Sequence, residues 1–138
     1  MEPTAEELAE RIRARALPEA VVTIATRGGE SAHRALGYRA ESVWSPSWSV
    51  IEHSARTDLV PLWTCGTTTV FSAEDGTFLE WDAEEDQPWR TFPEFPAAVR
   101  SLLTDLYEDE VDDDDLRAVA ELLLPADQVD DALRPEDR

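Results

Sequence analysis

Apolar positions along this 138-residue chain change their period several times, and each change marks an element. Ala5, Leu8, Ala9, Ile12 and Ala16 recur at helical spacing, with Glu6, Glu10, Arg11 and Arg13 off the stripe, which predicts an amphipathic first helix. Thr4 and Glu7 stand at capping-box spacing, where each side chain accepts the other residue's backbone N–H. Leu17-Pro18 ends the helix, because proline cannot continue the hydrogen-bond ladder. Val21, Val22, Thr23, Ile24 and Ala25 form a β-branched, apolar run that predicts a short strand, and Arg27-Gly28-Gly29 turns the chain. Between residues 30 and 58 the periodicity fades. Trp44 and Trp48 lie four apart, but Pro46 between them opposes a helix. Ser45, Ser47 and Ser49 alternate with Pro46, Trp48 and Val50, so the expectation is an extended or looped stretch with edge-strand character.

The middle of the chain carries the strongest β pattern. Residues 59–64 are apolar on both faces, with Pro61 suited to an edge or a bulge, and Cys65-Gly66 breaks the run. Residues 67–72 and 77–82 flank Ala73, Glu74, Asp75 and Gly76, which reads as a hairpin. In its second arm Leu79 and Trp81 share one face, and Phe78, Glu80 and Asp82 share the other. An acidic connector, 83–88, leads to a last short strand at 89–92. Thr91 and Glu94 again have capping-box spacing, with Pro93 in the first turn. Phe95, Ala98, Val99, Leu102, Leu103 and Leu106 then form one helical stripe, and Leu116, Val119, Ala120 and Leu123 form another, stopped by Pro125. The order of elements predicts an α+β domain over residues 1–125: an N-terminal helix, an antiparallel β-meander and two C-terminal helices packed on it. Residues 126–138 are expected to be an acidic tail, in which Val129 and Leu133 have the spacing of one more helical turn.

Charge adds a direction to this picture. The chain has 31 acidic residues against 12 basic ones, all arginine, for a net charge of −19. Residues 1–72 hold nine acids and seven arginines, whereas residues 73–138 hold 22 acids and five arginines. Such a field repels nucleic acid, phosphates and anionic membranes and attracts basic partners. With 42% apolar residues and five tryptophans the chain is globular, not an acidic disordered one. The N-terminus has no apolar h-region, and Glu6, Glu7 and Glu10 oppose signal and transit peptides, so a cytoplasmic location is expected. No run reaches the roughly 18 apolar residues of a membrane span. Arginine without lysine is a habit of GC-rich bacterial coding.

The run from Glu108 to Asp115 is acidic at every position but Val111. Asp112, Asp113, Asp114 and Asp115 precede the second C-terminal stripe, where they cap the helix or meet the positive end of its dipole at about 0.3–1 kcal/mol each. Glu108, Asp109 and Glu110 sit at the opposite pole of the preceding helix, where negative charge is unfavourable by a similar amount. Folding alone supplies no reason to gather them there, which makes them candidates for recognition, with Asp105 one turn before. The run lacks the glycine and the spacing of a calcium loop. Trp63 and Trp81 fall in the best strands and belong to the core. Trp44, Trp48 and Trp89 fall in irregular segments, where aromatic side chains serve as interface anchors. Cys65, His33 and His53 are the candidates for nucleophile or base chemistry, and no motif surrounds them; two lone histidines are more often structural. No glycine-rich phosphate loop is present, and neither a cofactor nor a metal is called for.

Val60-Pro61-Leu62-Trp63, the hairpin through Thr69, Phe71, Asp75-Gly76 and Trp81, and the block from Trp89 and Phe92 through Phe95 into the helix ending at Tyr107 resemble the SUKH superfamily, particularly its actinobacterial branches. The resemblance spans residues 59–125, about half the chain. Many family members carry Leu-Pro, an aromatic-rich helix and an Asn-Gly-Gly turn; here Leu17-Pro18 and Gly28-Gly29 flank a run that reads as strand, and arginine replaces the asparagine. The resemblance implies an α+β domain that acts by binding, as bacterial members similar to immunity proteins do when they neutralise a toxin, often a nuclease. The resulting expectation is a non-enzymatic protein that blocks a basic toxin through Asp105, Glu108, Asp109, Glu110, Asp112, Asp113 and Asp114, with Trp44, Trp48 and Trp89 as anchors. The alternatives are a regulatory adaptor on a host protein and a small enzyme using Cys65 or His53.

Overall fold

The computed structural model describes residues 2–134. Helix α1 spans Ala5–Ala14 and begins with the capping box, Thr4 Oγ1 accepting from Glu7 N and Glu7 Oε1 accepting from Thr4 N, both at 3.1 Å. Helix α2 follows at Glu19–Arg27, then a single turn α3 at Gly29–Ala32, a 3-10 segment at Arg34–Arg39 and helix α4 at Ser45–Ser54. Strands β1 (Val60–Cys65), β2 (Thr68–Ser72), β3 (Phe78–Asp82) and β4 (Arg90–Phe92) pair in sequence order as an antiparallel meander. Helices α5 (Phe95–Glu108), α6 (Asp113–Leu123) and α7 (Ala126–Ala132) complete the chain. The architecture is α+β, with helices on both the N-terminal and C-terminal sides of a four-stranded sheet.

Both faces of the sheet are covered. On one face Trp63, Val70, Phe78 and Phe92 meet Ala98, Val99 and Leu102 of α5, and the same core continues through α1, α2, α6 and α7. On the other face Phe71, Leu79 and Trp81 pack with Val50 of α4 in a smaller core. The hairpin divides its second arm as the alternation requires, Leu79 and Trp81 to the α4 side and Phe78 to the α5 side. Pro61 marks a bulge: the β1–β2 register shifts between Pro61 and Trp63, so Leu62 and Trp63 both enter the larger core.

Two N-terminal segments differ from the sequence reading. Residues 21–25 are helix, not strand, because Val21, Ile24 and Ala25 stand at i, i+3, i+4 and α2 is buried against α1 and β1. An apolar surface this broad suits a core helix, and tertiary packing overrides the β preference of valine and isoleucine. The stretch 30–58 is largely helical too. Pro46 lies in the first turn of α4, where its missing N–H costs nothing, and Trp44 is the residue before the helix. α4 then places Ser47 Oγ 2.9 Å from Thr69 Oγ1 inside the interface with β2. Gly29 has a steric role, since a Cβ there would lie 2.4 Å from the Ala40 carbonyl oxygen.

The C-terminal half differs in smaller ways. Three helices follow the sheet, because 126–132 fold as α7 and bury Val129 and Ala132 against α5 and α6, where a tail was expected; residues 135–138 lie outside the described residues. α5 starts later than its capping-box spacing suggested: Glu94 is the N-cap without a side-chain bond, and Pro96 occupies the first turn.

Away from the acidic run, one carboxylate ties the first strand to the hairpin loop. Asp58 accepts from Arg56 Nε and Nη2 at 2.9 and 2.7 Å and from the Glu74 amide at 3.2 Å, while Arg15 of the α1 terminus donates to the Asp58 carbonyl at 2.7 Å. The Arg56 guanidinium, helped by the Glu74 N–H, holds the Asp58 carboxyl down to about 2 from 3.8. A depressed carboxylate stabilises the fold above its unfolded value and loses that contribution as pH falls through its folded value. Asp58→Asn should therefore cost about 1–2 kcal/mol near neutral pH, with the deficit closing between pH ~4 and ~2. Urea unfolding at a series of pH values reads this directly, and a deficit that is constant down to pH ~2 would contradict it.

Candidate protein-binding surface

The acidic run is not one surface. α5 ends in a Schellman turn, with Glu110 N–H bonded to the Tyr107 carbonyl at 3.0 Å and Val111 N–H to the Leu106 carbonyl at 3.1 Å. Glu110 holds the left-handed position of that turn, φ 67°, and Val111 packs on the core. This geometry aims Asp109 back at the 3-10 segment. Arg39 donates to it in bidentate fashion, Nε to Oδ2 at 2.7 Å and Nη2 to Oδ1 at 2.9 Å, and Tyr38 OH donates to Oδ2 at 3.0 Å. The Arg39 guanidinium also lies 5.0 Å from the centre of the Tyr38 ring and 4.0 Å from Asp105 Oδ2. The hydrogen bonds from Arg39 pull the Asp109 carboxyl below its usual range, and burial pushes that of Asp105 up.

Two more of these acids serve the fold. Asp112 is the N-cap of α6, its Oδ1 accepting from Asp115 N at 2.9 Å. Asp115 faces His33 Nε2 at 3.8 Å and Arg34 Nη2 at 3.6 Å. Thus Asp109, Asp112 and Asp115 fasten the α5–α6 corner to itself and to the 3-10 segment, which gives Asp109 a folding reason that its position in the run does not reveal. Glu108, Glu110, Asp113 and Asp114 remain exposed, and Glu110, Asp113 and Asp114 have no ion-pair partner among the described residues.

A second acidic segment lies at one end of the sheet. Cys65, Thr68 and Asp82 are register partners and Glu80 pairs with Arg90, so the β1–β2 turn and the β3–β4 connector lie at the same end of the sheet. α5 runs toward that end, since Asp105 lines a small cleft with Cys65, Thr68 and Glu80. The connector is rigidly held: Trp81 Nε1 donates to the Glu85 carbonyl at 2.9 Å, His53 Nε2 lies 3.1 Å from the same oxygen, and Asp82 accepts from Glu84 N and from the Thr67 and Thr68 hydroxyls. Glu84, Glu85 and Asp86 on it are exposed. Sequence reasoning passed over this connector as a linker; its even-handed signal was the acidic block between two short strands.

The three tryptophan anchors fare differently. Trp89 is 59% exposed and Trp44 is 39% exposed, whereas Trp48 is 7% exposed and belongs to the core, so it is withdrawn as an anchor. Trp48 was misplaced because its segment was read as irregular; as a member of α4 it turns inward. Its indole Nε1 has no hydrogen-bond partner among the described residues. Two exposed aromatic residues went unseen, Tyr38 at 58% and Tyr107 at 56%. Tyr107 was within reach of the pattern, since it falls immediately off the apolar stripe of α5. Tyr38 was not, because nothing periodic surrounds it.

Cys65 and His53 do not share a site. Cys65 lines the cleft under α5, where burial pushes its thiol up, and His53 of α4 lies on the opposite face with its ring 6.3 Å from Trp81. Among the described residues no cluster of His, Cys, Asp and Glu is placed to hold a metal ion, and no helix is long and apolar enough to cross a membrane.

The division of the acidic run predicts stability changes of opposite sign. Asp109→Asn, which removes the charge from a half-buried bidentate pair, should cost roughly 1–2 kcal/mol. Glu110→Gly, which relieves a left-handed backbone and removes a charge from the wrong pole of α5, should stabilise by about 0.5–1 kcal/mol. Chemical denaturation of the two variants measures both; equal effects of either sign would mean that the corner is not organised in this way.

No family model matches this chain, and neither a curated protein nor a solved structure does.

Proposed function

We infer that this protein works by binding, and that its partner is a basic protein, of the kind an immunity protein or antitoxin neutralises. The observation that carries the reading is the surplus of carboxylates left unpaired after the fold has taken what it needs. Glu110, Asp113 and Asp114 at the α5–α6 corner and Glu84–Asp86 at the sheet end stand on hydrogen-bonded backbone and face solvent, with exposed Tyr107 three residues before Glu110 and exposed Trp89 three residues after Asp86. Like charges on neighbouring positions repel one another, and a cationic partner relieves the repulsion. Aromatic side chains among them add the anchors on which binding energy concentrates. A toxin that acts on nucleic acid must itself present a basic surface, and an acidic protein competes for it with fast, steered association.

The SUKH resemblance, carried by residues 59–125, points the same way. That resemblance implies an aromatic-rich helix between Leu17-Pro18 and Gly28-Gly29; α2 occupies this interval, where the periodicity alone suggested a strand, but it carries no aromatic residue. Binding in the cytoplasm to a toxin of this class, without chemistry of its own, is the proposal.

Capture from the source cell tests it. Immobilised protein at low salt should retain a basic polypeptide that leaves as salt rises, and the variant Glu110→Gln/Asp113→Asn/Asp114→Asn should retain at least about tenfold less of it. Expression of the retained polypeptide alone should arrest growth, and co-expression of this protein should restore it. Retention of neutral or acidic proteins only, unaffected by the triple variant, would defeat the proposal.

A further inference from the structure

The two ring nitrogens of His33 face different elements. His33 stands immediately before the 3-10 segment in extended conformation, and its Nδ1 accepts the Ala35 amide at 3.1 Å, capping the first turn of that segment. The backbone on either side of the ring is also bonded: His33 N–H donates to the Gly29 carbonyl at 2.8 Å, and Leu36 N–H donates to the His33 carbonyl at 3.1 Å. An imidazole nitrogen that accepts a hydrogen bond carries no proton, so the neutral ring holds its proton on Nε2. Nε2 lies 3.8 Å from Asp115 Oδ1 in the first turn of α6, beyond hydrogen-bond range.

These two contacts make opposite demands on the ring. The cap requires it neutral, because a proton on Nδ1 would set two N–H groups against each other across 3.1 Å. Asp115 favours the charged form. The two side chains are 21% and 24% exposed, so solvent screens that attraction less than it would at an open surface. Arg34 Nη2 shares Asp115 at 3.6 Å but is 84% exposed, and the Asp112 carboxylate is engaged by the Asp115 amide. Asp113 and Asp114, in the same turn of α6, are exposed, and Glu30 of α3 is exposed without a hydrogen bond or ion pair among the described residues. Asp105 and Asp109 of α5 and Cys65 of β1 gather at the far end of the segment, around Arg39.

We propose that His33 is a proton-operated latch between the 3-10 segment and α6. The neutral ring caps the segment. The protonated ring gives up the Ala35 amide and turns to Asp115, so the start of the segment frays while Arg39 and Asp109 still hold its other end. The proton comes from solvent and returns to it. The latch does not depend on the basic-partner reading; it sets how firmly the segment docked on the α5–α6 corner is held.

Heteronuclear NMR of the full chain tests it from about pH 8 to about pH 5, the range in which histidine changes charge. At the upper end the His33 ring should carry its proton on Nε2. As the ring protonates, protection of the Ala35 amide against hydrogen exchange, referred to the unstructured rate at each pH, should fall at least about fivefold with the same midpoint. Protection of Leu102 and Leu103 in α5 should stay level. His33→Asn offers its Oδ1 to the amide two residues on and takes up no proton in this range, so its Ala35 protection should also stay level. Asp115→Asn removes the carboxylate that draws the charged ring, and should move the midpoint to lower pH while the fall at Ala35 persists. A ring protonated on Nδ1 at the upper end, a ring still neutral at the lower end, or level Ala35 protection while the ring titrates would overturn the latch. An equal fall in His33→Asn, or one that spreads to Leu102 and Leu103, would overturn it too, and an unmoved midpoint in Asp115→Asn would remove Asp115 from it.

Discussion

The bidentate bond between Arg39 and Asp109 is the contact on which the arrangement of the acidic face depends. α5 ends in Glu108, Asp109 and Glu110, at the pole of its dipole where negative charge is least welcome. Arg39, drawn from a 3-10 segment 70 residues away, meets that charge with two charge-assisted hydrogen bonds. The same contact docks the 3-10 segment on the α5–α6 corner, where His33 and Arg34 also face Asp115. With those acids occupied, the remaining carboxylates have one direction left, outward.

The sheet was readable in the sequence because its information is local. Alternation in 77–82, the Asp75-Gly76 turn and Pro61 at a bulge each act over a few residues, and Gly76 takes the positive φ of 91° that such a turn needs. α5 and α6 were readable for the same reason, since their apolar stripes persist for two turns or more. α2 and α4 were not. A helix buried against several neighbours shows an unbroken apolar run that a short strand shows equally well, and the helical phase of Val21, Ile24 and Ala25 is too brief to separate them. Pro46 forbids the interior of a helix and favours its first turn, so its meaning depended on a boundary that the sequence does not mark.

The candidate surface was half legible. The cap at Asp112 follows from its place before an apolar stripe, but the pairing of Asp109 with Arg39 requires the tertiary fold, and so does the anchoring of the β3–β4 connector by Trp81 and His53. Structure therefore removes some residues from the proposed recognition surface and adds others. Asp109 and Asp112 pass to the fold and Trp48 to the core, while Glu84–Asp86 and Tyr107 join Glu110, Asp113, Asp114 and Trp89. The physical content is that self-repelling charge has been kept on rigid backbone where folding does not use it, which is the pattern of a surface preorganised for a partner of opposite sign.

The rate at which the captured partner associates, followed by stopped-flow as ionic strength rises, tests this most directly. Long-range attraction predicts a bimolecular rate constant that falls at least about tenfold between ~0.02 and ~0.5 M salt, with a dissociation rate that changes far less. An association rate constant that stays level over that range would contradict an electrostatically steered encounter and with it the role assigned to the acidic face.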